Sequence, residues 1–234
     1  MHTLRMPRAI KSVRLAATDR GESRANFRYK MLLLSLFSLA YCFFYILPNF
    51  YPLFQPRQLP LTMFDRAVPF LPWTFVVYLS EFVLVAVTIL LVNDWDQFNS
   101  FARHAFFTLL FIGTIFFLFP TIYPRPVYPD GINTVVAWAM AIIKTGDAPT
   151  NCFPSMHVAI TSIAVHALRQ AVPFRRVFFA LWGTVIIVST LTTKQHYFID
   201  IAGGFVVASL VIGLDRMIVS QKLTRRNLDA VSAT

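Results

Sequence analysis

The stretch LPWTFVVYLSEFVLVAVTILLV, residues 71–92, holds one charged residue, Glu81, in a run long enough to cross hydrocarbon as a helix. Backbone polar groups in lipid have no water to bond, so only helices or a closed barrel can span it, and a continuous apolar run selects the helix. Working outward, comparable runs cover about 31–47, ended by Pro48, then 105–119, 155 to just before Pro173, 177–192 and 196–219. The whole chain agrees: it is 56% hydrophobic and 14% charged, with a mean hydropathy of +0.60, too apolar for an ordinary soluble domain. The expected fold is all-α and polytopic, with six transmembrane helices and two long, proline-rich extracytoplasmic loops, 49–70 and 120–154. Three regions follow: a basic cytoplasmic tail over 1–30, a six-helix membrane domain over 31–219, and a cytoplasmic C-terminal tail over 220–234.

The formal charge of +10 would suggest nucleic-acid binding in a soluble protein, but here topology accounts for it. Residues 1–30 carry eight Arg or Lys against Asp19 and Glu22, as expected of a solvated segment beside anionic lipid. With alternating spans, every Arg and Lys except Arg57, Arg66, Arg125, Lys144 and Lys194 falls on the side of the termini. The positive-inside rule makes that side cytoplasmic and turns both long loops outward, toward a periplasm or lumen. The segment 132–143 is apolar but too short to span, which predicts a re-entrant or interfacial helix. Cys42 and Cys152 suit neither a disulfide framework nor a thiolate metal site.

Three polar clusters lie at outer ends of spans: residues 123–126 (YPRP), 151–157 (NCFPSMH) and 194–200 (KQHYFID). His196 and Asp200, four apart, share a helical face, so the carboxylate can hold one imidazole nitrogen as donor and leave the other to attack. A helix-start ion pair is the plainer reading of the same spacing. Ser155 can cap the fourth span, whose free N–H groups attract phosphate, and His157 is placed to act as general acid and base. A capped helix with a satisfied histidine is again the plainer alternative. Arg125 and Lys194 offer positive charge for nonbridging phosphate oxygens, or for lipid headgroups.

Four further residues, Asp65, Arg66, Glu81 and Tyr197, are candidates for contact with substrate. Asp65 and Arg66 can pair with each other or meet a headgroup. Glu81, costly in hydrocarbon, is expected to face a polar partner within the bundle. His166, nine residues beyond His157, is expected near the bilayer midplane in a structural role. No His-Glu-x-x-His, Cys-x-x-Cys or Gly-rich phosphate loop occurs, so neither a metal nor any other cofactor is expected.

Together these residues resemble the type-2 phosphatidic acid phosphatase superfamily of membrane lipid phosphatases and phosphotransferases. Its pattern is Arg-Pro, then Pro-Ser-x-His, then Ser-Arg, five residues, His, three residues, Asp. The chain supplies Arg125-Pro126, Pro154 to His157, and Ser189 with His196 and Asp200 at matching spacing. The resemblance implies that His196 attacks phosphorus, Asp200 orients it, His157 protonates the leaving group, and Arg125, Lys194 and Ser155 cradle the phosphate. It departs at two positions: Leu118 stands where the family has a lysine, and Thr190 where it has an arginine. Lys194 is the natural substitute. The form of the second and third clusters looks more like the inositol-phosphoceramide and sphingomyelin synthase branch, which transfers headgroups.

The expected function is therefore an integral-membrane, metal-independent phosphatase or phospho-headgroup transferase. It would take a lipid phosphate or phospholipid and pass the phosphoryl group through a phosphohistidine to water or an alcohol. The competing class is non-catalytic: a transporter, in which Glu81 and His166 would matter most, or an inactive scaffold of the same fold.

Overall fold

The computed structural model describes residues 26–128 and 134–232. Among them five helices are long and apolar enough to cross a membrane, which marks the chain as an integral membrane protein. In chain order the helices are α1 (Phe27–Phe50), α2 (Met63–Ala67), α3 (Thr74–Leu91), α4 (Trp95–Leu118), α5 (Thr134–Gly146), α6 (Met156–Ala167), α7 (Pro173–Thr192) and α8 (Phe198–Ser232). Two short strands, β1 (Arg57–Gln58) and β2 (Thr121–Ile122), pair in parallel between the two long loops.

The fourth expected span is the shortest of these helices to lie in the bundle. It is α6, of 12 residues, extended by a 3-10 turn over Leu168–Gln170, and it sits at the centre, packed against α3, α4, α7 and α8. Val158, Ala159, Ile163 and Ala164 are fully buried, and small residues on its neighbours let those helices approach. A Cβ on Gly183 would stand 2.6 Å from Val165 Cγ2, and one on Gly204 the same distance from the Ser155 carbonyl oxygen. Because α6 is short, His166 is not near the middle of the bundle but at the end opposite His157. There its Nε2 meets Arg216 at 3.3 Å and its carbonyl accepts from Arg169. Arg103 and His104 share Asp215 at the same end, and Lys30 donates to the carbonyls of Ile89 and Val92.

Several expected boundaries move, each for a local reason. Pro48 does not stop α1: a π-helical turn over Cys42–Ile46 widens the helix just ahead of the ring, and the helix continues to Phe50. Helix α4 begins ten residues before the apolar run, at an Asp94 cap that accepts from Gln97 N at 2.8 Å, because Arg103 finds Asp215 and can stay helical. Pro173, expected as a breaker, occupies the first turn of α7, where its missing N–H is not needed. Helix α8 continues past residue 219 as helix to Ser232. The apolar segment between the first and second clusters forms α5, which packs on α3, while its first residues lie outside those described, as do residues 1–25 of the basic tail.

Candidate active site

All three polar clusters meet at one end of the bundle, joined by backbone bonds between distant segments. Ser155 N donates to Asp200 O at 3.0 Å, Tyr123 N to Pro149 O at 3.0 Å, and Leu71 N to Thr192 O at 2.9 Å. Gly203 and Gly204 permit the first of these contacts, since α8 passes so close to Phe153, Pro154 and Ser155 that side chains there would collide with them. Ser155 caps α6 as its sequence suggests, accepting from Val158 N at 3.3 Å.

His196 Nδ1 lies 3.0 Å from the Cys152 carbonyl and 3.2 Å from Asp200 Oδ2. Both neighbours are acceptors, so the proton belongs on Nδ1, and Nε2 has no hydrogen bond among the described residues. The same Asp200 oxygen accepts from Tyr197 N at 2.8 Å. Asp200 is fully buried, yet its Oδ1 has no hydrogen-bond partner among the described residues.

His157 is stacked on Tyr78, ring centroids 3.9 Å apart, with Nε2 2.7 Å from Glu81 Oε2. That approach is a close contact and not an aligned hydrogen bond. Thr161 donates to the other Glu81 oxygen at 3.1 Å. Glu81 thus has the polar partner inside the bundle that its position demanded.

The two cations are held by protein carbonyls. Arg125 donates from Nη1 to Asp147 O at 2.6 Å and from Nη2 to Asp147 Oδ2 at 3.2 Å, while its buried Nε has no hydrogen-bond partner among the described residues. Burial raises the Asp147 carboxyl above its ordinary range, against the opposing pull of Arg125, Tyr45, His157 and His196. Lys194, in the left-handed region at φ 56°, directs Nζ to the carbonyls of Asp65 and Val68 at 2.8 and 2.6 Å. Burial lowers its ammonium, and the Asp65 charge opposes that.

Asp65 and Arg66 do not pair. Asp65 Oδ2 forms a capping box with Thr62, and Oδ1 accepts from Phe198 N at 2.8 Å, capping α8 from another loop. Burial acts to raise the Asp65 carboxyl, but the Thr62 hydroxyl, the Phe198 and Thr62 N–H groups and Lys194 together hold it below the usual carboxylate range. Arg66 is exposed and makes no ion pair among the described residues. Tyr197 is fully buried rather than open to a ligand, its hydroxyl on Ile122 O at 3.2 Å and its ring against Tyr123. The Tyr123 phenol, buried beside the Asp65 and Asp200 charges, is pushed up to about 12.

Tyr45, Asn49 and Asp147 join this end of the bundle without having been singled out. Asn49 exchanges bonds with Ala148 and Thr150, and Tyr45 donates to Asp147 Oδ1. A polar Asn beside Pro48 in an apolar helix was the available signal. Six buried side-chain atoms among the described residues lack a hydrogen-bond partner; five of them belong to the three clusters, and of these all but His157 Nε2, which has Glu81 beside it, stand alone: Arg125 Nε, Asn151 Oδ1, Gln195 Oε1 and Asp200 Oδ1. Concentrated orphans of this kind call for a ligand or water. Among the described residues no three His, Cys, Asp or Glu side chains converge as a metal site. A cavity of about 450 Å³ lined by Phe54, Arg57, Leu118 and Phe119 includes none of the candidate residues.

A family model described as the PAP2 superfamily matches residues 66–214, more than half of the chain. No curated protein matches it.

Proposed function

The chain belongs to the PAP2 superfamily, a phosphatase-type family, and from that premise we propose that it is an integral-membrane enzyme acting on lipid phosphate esters through a phosphohistidine at His196. The lone pair of His196 Nε2 attacks phosphorus, the bond from phosphorus to the lipid alkoxide breaks, and His157 gives the departing oxygen its proton. Water or an alcohol then loses a proton to His157 and attacks the phosphohistidine, breaking the P–N bond and restoring both histidines. Asp200 holds Nδ1–H, and Arg125 with the first N–H groups of α6 stabilises the nonbridging oxygens. The observation that carries this reading is the His196 ring, anchored at Nδ1 by Asp200 Oδ2 and the Cys152 carbonyl while Nε2 has no bond.

The active face is the extracytoplasmic one, on the strength of the Arg and Lys distribution, with α6 as a sixth crossing. Headgroup transfer to an alcohol is the finer reading. It is supported by Leu118 and Thr190 standing where the family places cations, and by Lys194 being held on carbonyls, since fewer free charges suit a singly charged phosphodiester better than a phosphomonoester dianion.

The test is turnover of the purified protein in detergent on a panel of phospholipids and lipid phosphates, with and without alcohol acceptors, following free phosphate and new lipids together. Free phosphate would identify hydrolysis, and a new phosphodiester without it would identify transfer. An acid-labile phosphoenzyme is expected in the wild type and absent from His196→Ala, with turnover lost in His157→Ala and Asp200→Asn while the proteins still fold. Full activity in His196→Ala would end the mechanism.

A further inference from the structure

Helix α1 precedes residue 66, where the family match begins, yet its C-terminal turns reach the phosphate end of the bundle. Tyr45 lies in the π-helical turn Cys42–Ile46, a rare geometry that recurs at functional positions. Its ring stacks on Tyr41 at 4.8 Å and its hydroxyl donates to Asp147 Oδ1 at 2.9 Å. The other oxygen of that carboxylate, and the Asp147 carbonyl, receive the two Nη groups of Arg125. The Tyr45 carbonyl meanwhile accepts from Asn151 Nδ2 at 3.0 Å, and Asn49, one turn on, closes four side-chain bonds with residues 148 and 150. Loop 147–151 is thus clamped to α1 on one side and holds the Arg125 fork on the other.

We propose that Tyr45, acting through Asp147, is a positioning residue for the phosphate-binding Arg125, so that a helix outside the family match completes the phosphate site; this rests on the role given to Arg125 above. A guanidinium with free rotation about its stem would cost ordering on binding an anion. Asp147, fixed by Tyr45, sets the plane of the fork beforehand and consumes its Nη edge, leaving the buried Nε–H unpartnered for an incoming oxygen. Tyr45 touches no reacting atom. Its influence reaches substrate only by way of Asp147 and Arg125.

The experiment uses the full chain in detergent and orthovanadate, a phosphate mimic, with affinity read from the concentration dependence of thermal stabilisation. Arg125→Ala sets the reference and should weaken vanadate by more than tenfold, the loss of a charge-assisted contact, on the order expected. Tyr45→Phe, which keeps the ring and its packing, should weaken it roughly threefold to tenfold, and Asp147→Asn by about tenfold. In the double variant Tyr45→Phe/Asp147→Asn the loss should equal that of Asp147→Asn alone, because the hydroxyl acts only through the carboxylate. Wild-type vanadate affinity in a folded Tyr45→Phe protein overturns the proposal, as do losses that multiply in the double variant. If Arg125→Ala itself binds vanadate normally, the phosphate role of Arg125 falls and the positioning role with it, whereas the phosphohistidine trap at His196 tests the mechanism separately.

Discussion

Asn151 and Lys194 both adopt positive φ, 60° and 56°, and each stands a few residues before one of the two histidines. An asparagine tolerates that region; a lysine there costs on the order of 1 kcal/mol, offset in this case by the bonds its backbone and Nζ make. Such local detail cannot be seen in a motif. The pairing of His196 with Asp200 could, because four-residue spacing on a helix brings two side chains together whatever surrounds them. The partner of His157 could not: Glu81 was visible as a costly carboxylate, but only packing of α3 against α6 brings it to 2.7 Å. Glu81→Gln should lower kcat on the order of tenfold to a hundredfold with KM little changed, by weakening the orientation of His157, the proposed acid–base group. Unchanged kcat would return Glu81 to a purely structural role. Asp65 carries a pH signature. Its carboxyl is held below the unfolded value of about 3.9, so its contribution to stability is full above that value and is lost as pH falls through the folded pKa. Thermal unfolding of wild type and Asp65→Asn should therefore differ at neutral pH and converge as pH falls below about 4; a gap that persists there would refute the assignment.

At the scale of elements, α6 decides the architecture. Twelve helical residues flanked by Ser155 and a 3-10 turn give a short central rod, and four other helices close on it through small residues. The contact between α8 and the start of α6 matters most, because it carries the bond from Ser155 N to Asp200 O. Gly204→Val should push α8 off this backbone, costing about 1–3 kcal/mol of stability and most of the activity. Gly213 has open space around its Cβ position, so Gly213→Ala in the same helix should be neutral or stabilise by up to about 1 kcal/mol. Unfolding in detergent reads both, and equal effects at the two glycines would remove the packing argument. The π-helical turn of α1 and the polar first half of α4 were hidden for one reason: hydropathy registers where charges stop, not where a helix can continue because a charge has found a distant partner.

Across the whole molecule, the two ends of the bundle differ in chemistry. One gathers His157, His196, Asp200, Asp65, Arg125 and Lys194; the other gathers Lys30, Arg103, His104, His166, Arg169, Asp215 and Arg216. Single cysteines at positions 66 and 175, in a chain lacking Cys42 and Cys152, should react with a membrane-impermeant reagent from opposite sides of a sealed vesicle. Labelling of both from one side would overturn the proposed topology. The sequence by itself determined that the chain is helical and built for a membrane, and that three polar clusters interrupt its apolar runs, because hydrocarbon forces continuous apolar runs and makes every intramembrane polar group conspicuous. Only the tertiary structure decided that Glu81 is the carboxylate beside His157, that Asp65 caps a helix instead of meeting Arg66, and that a tyrosine of α1 stands behind Arg125. Those pairings join residues scores of positions apart, and such distances close only when packing of the intervening helices has been settled.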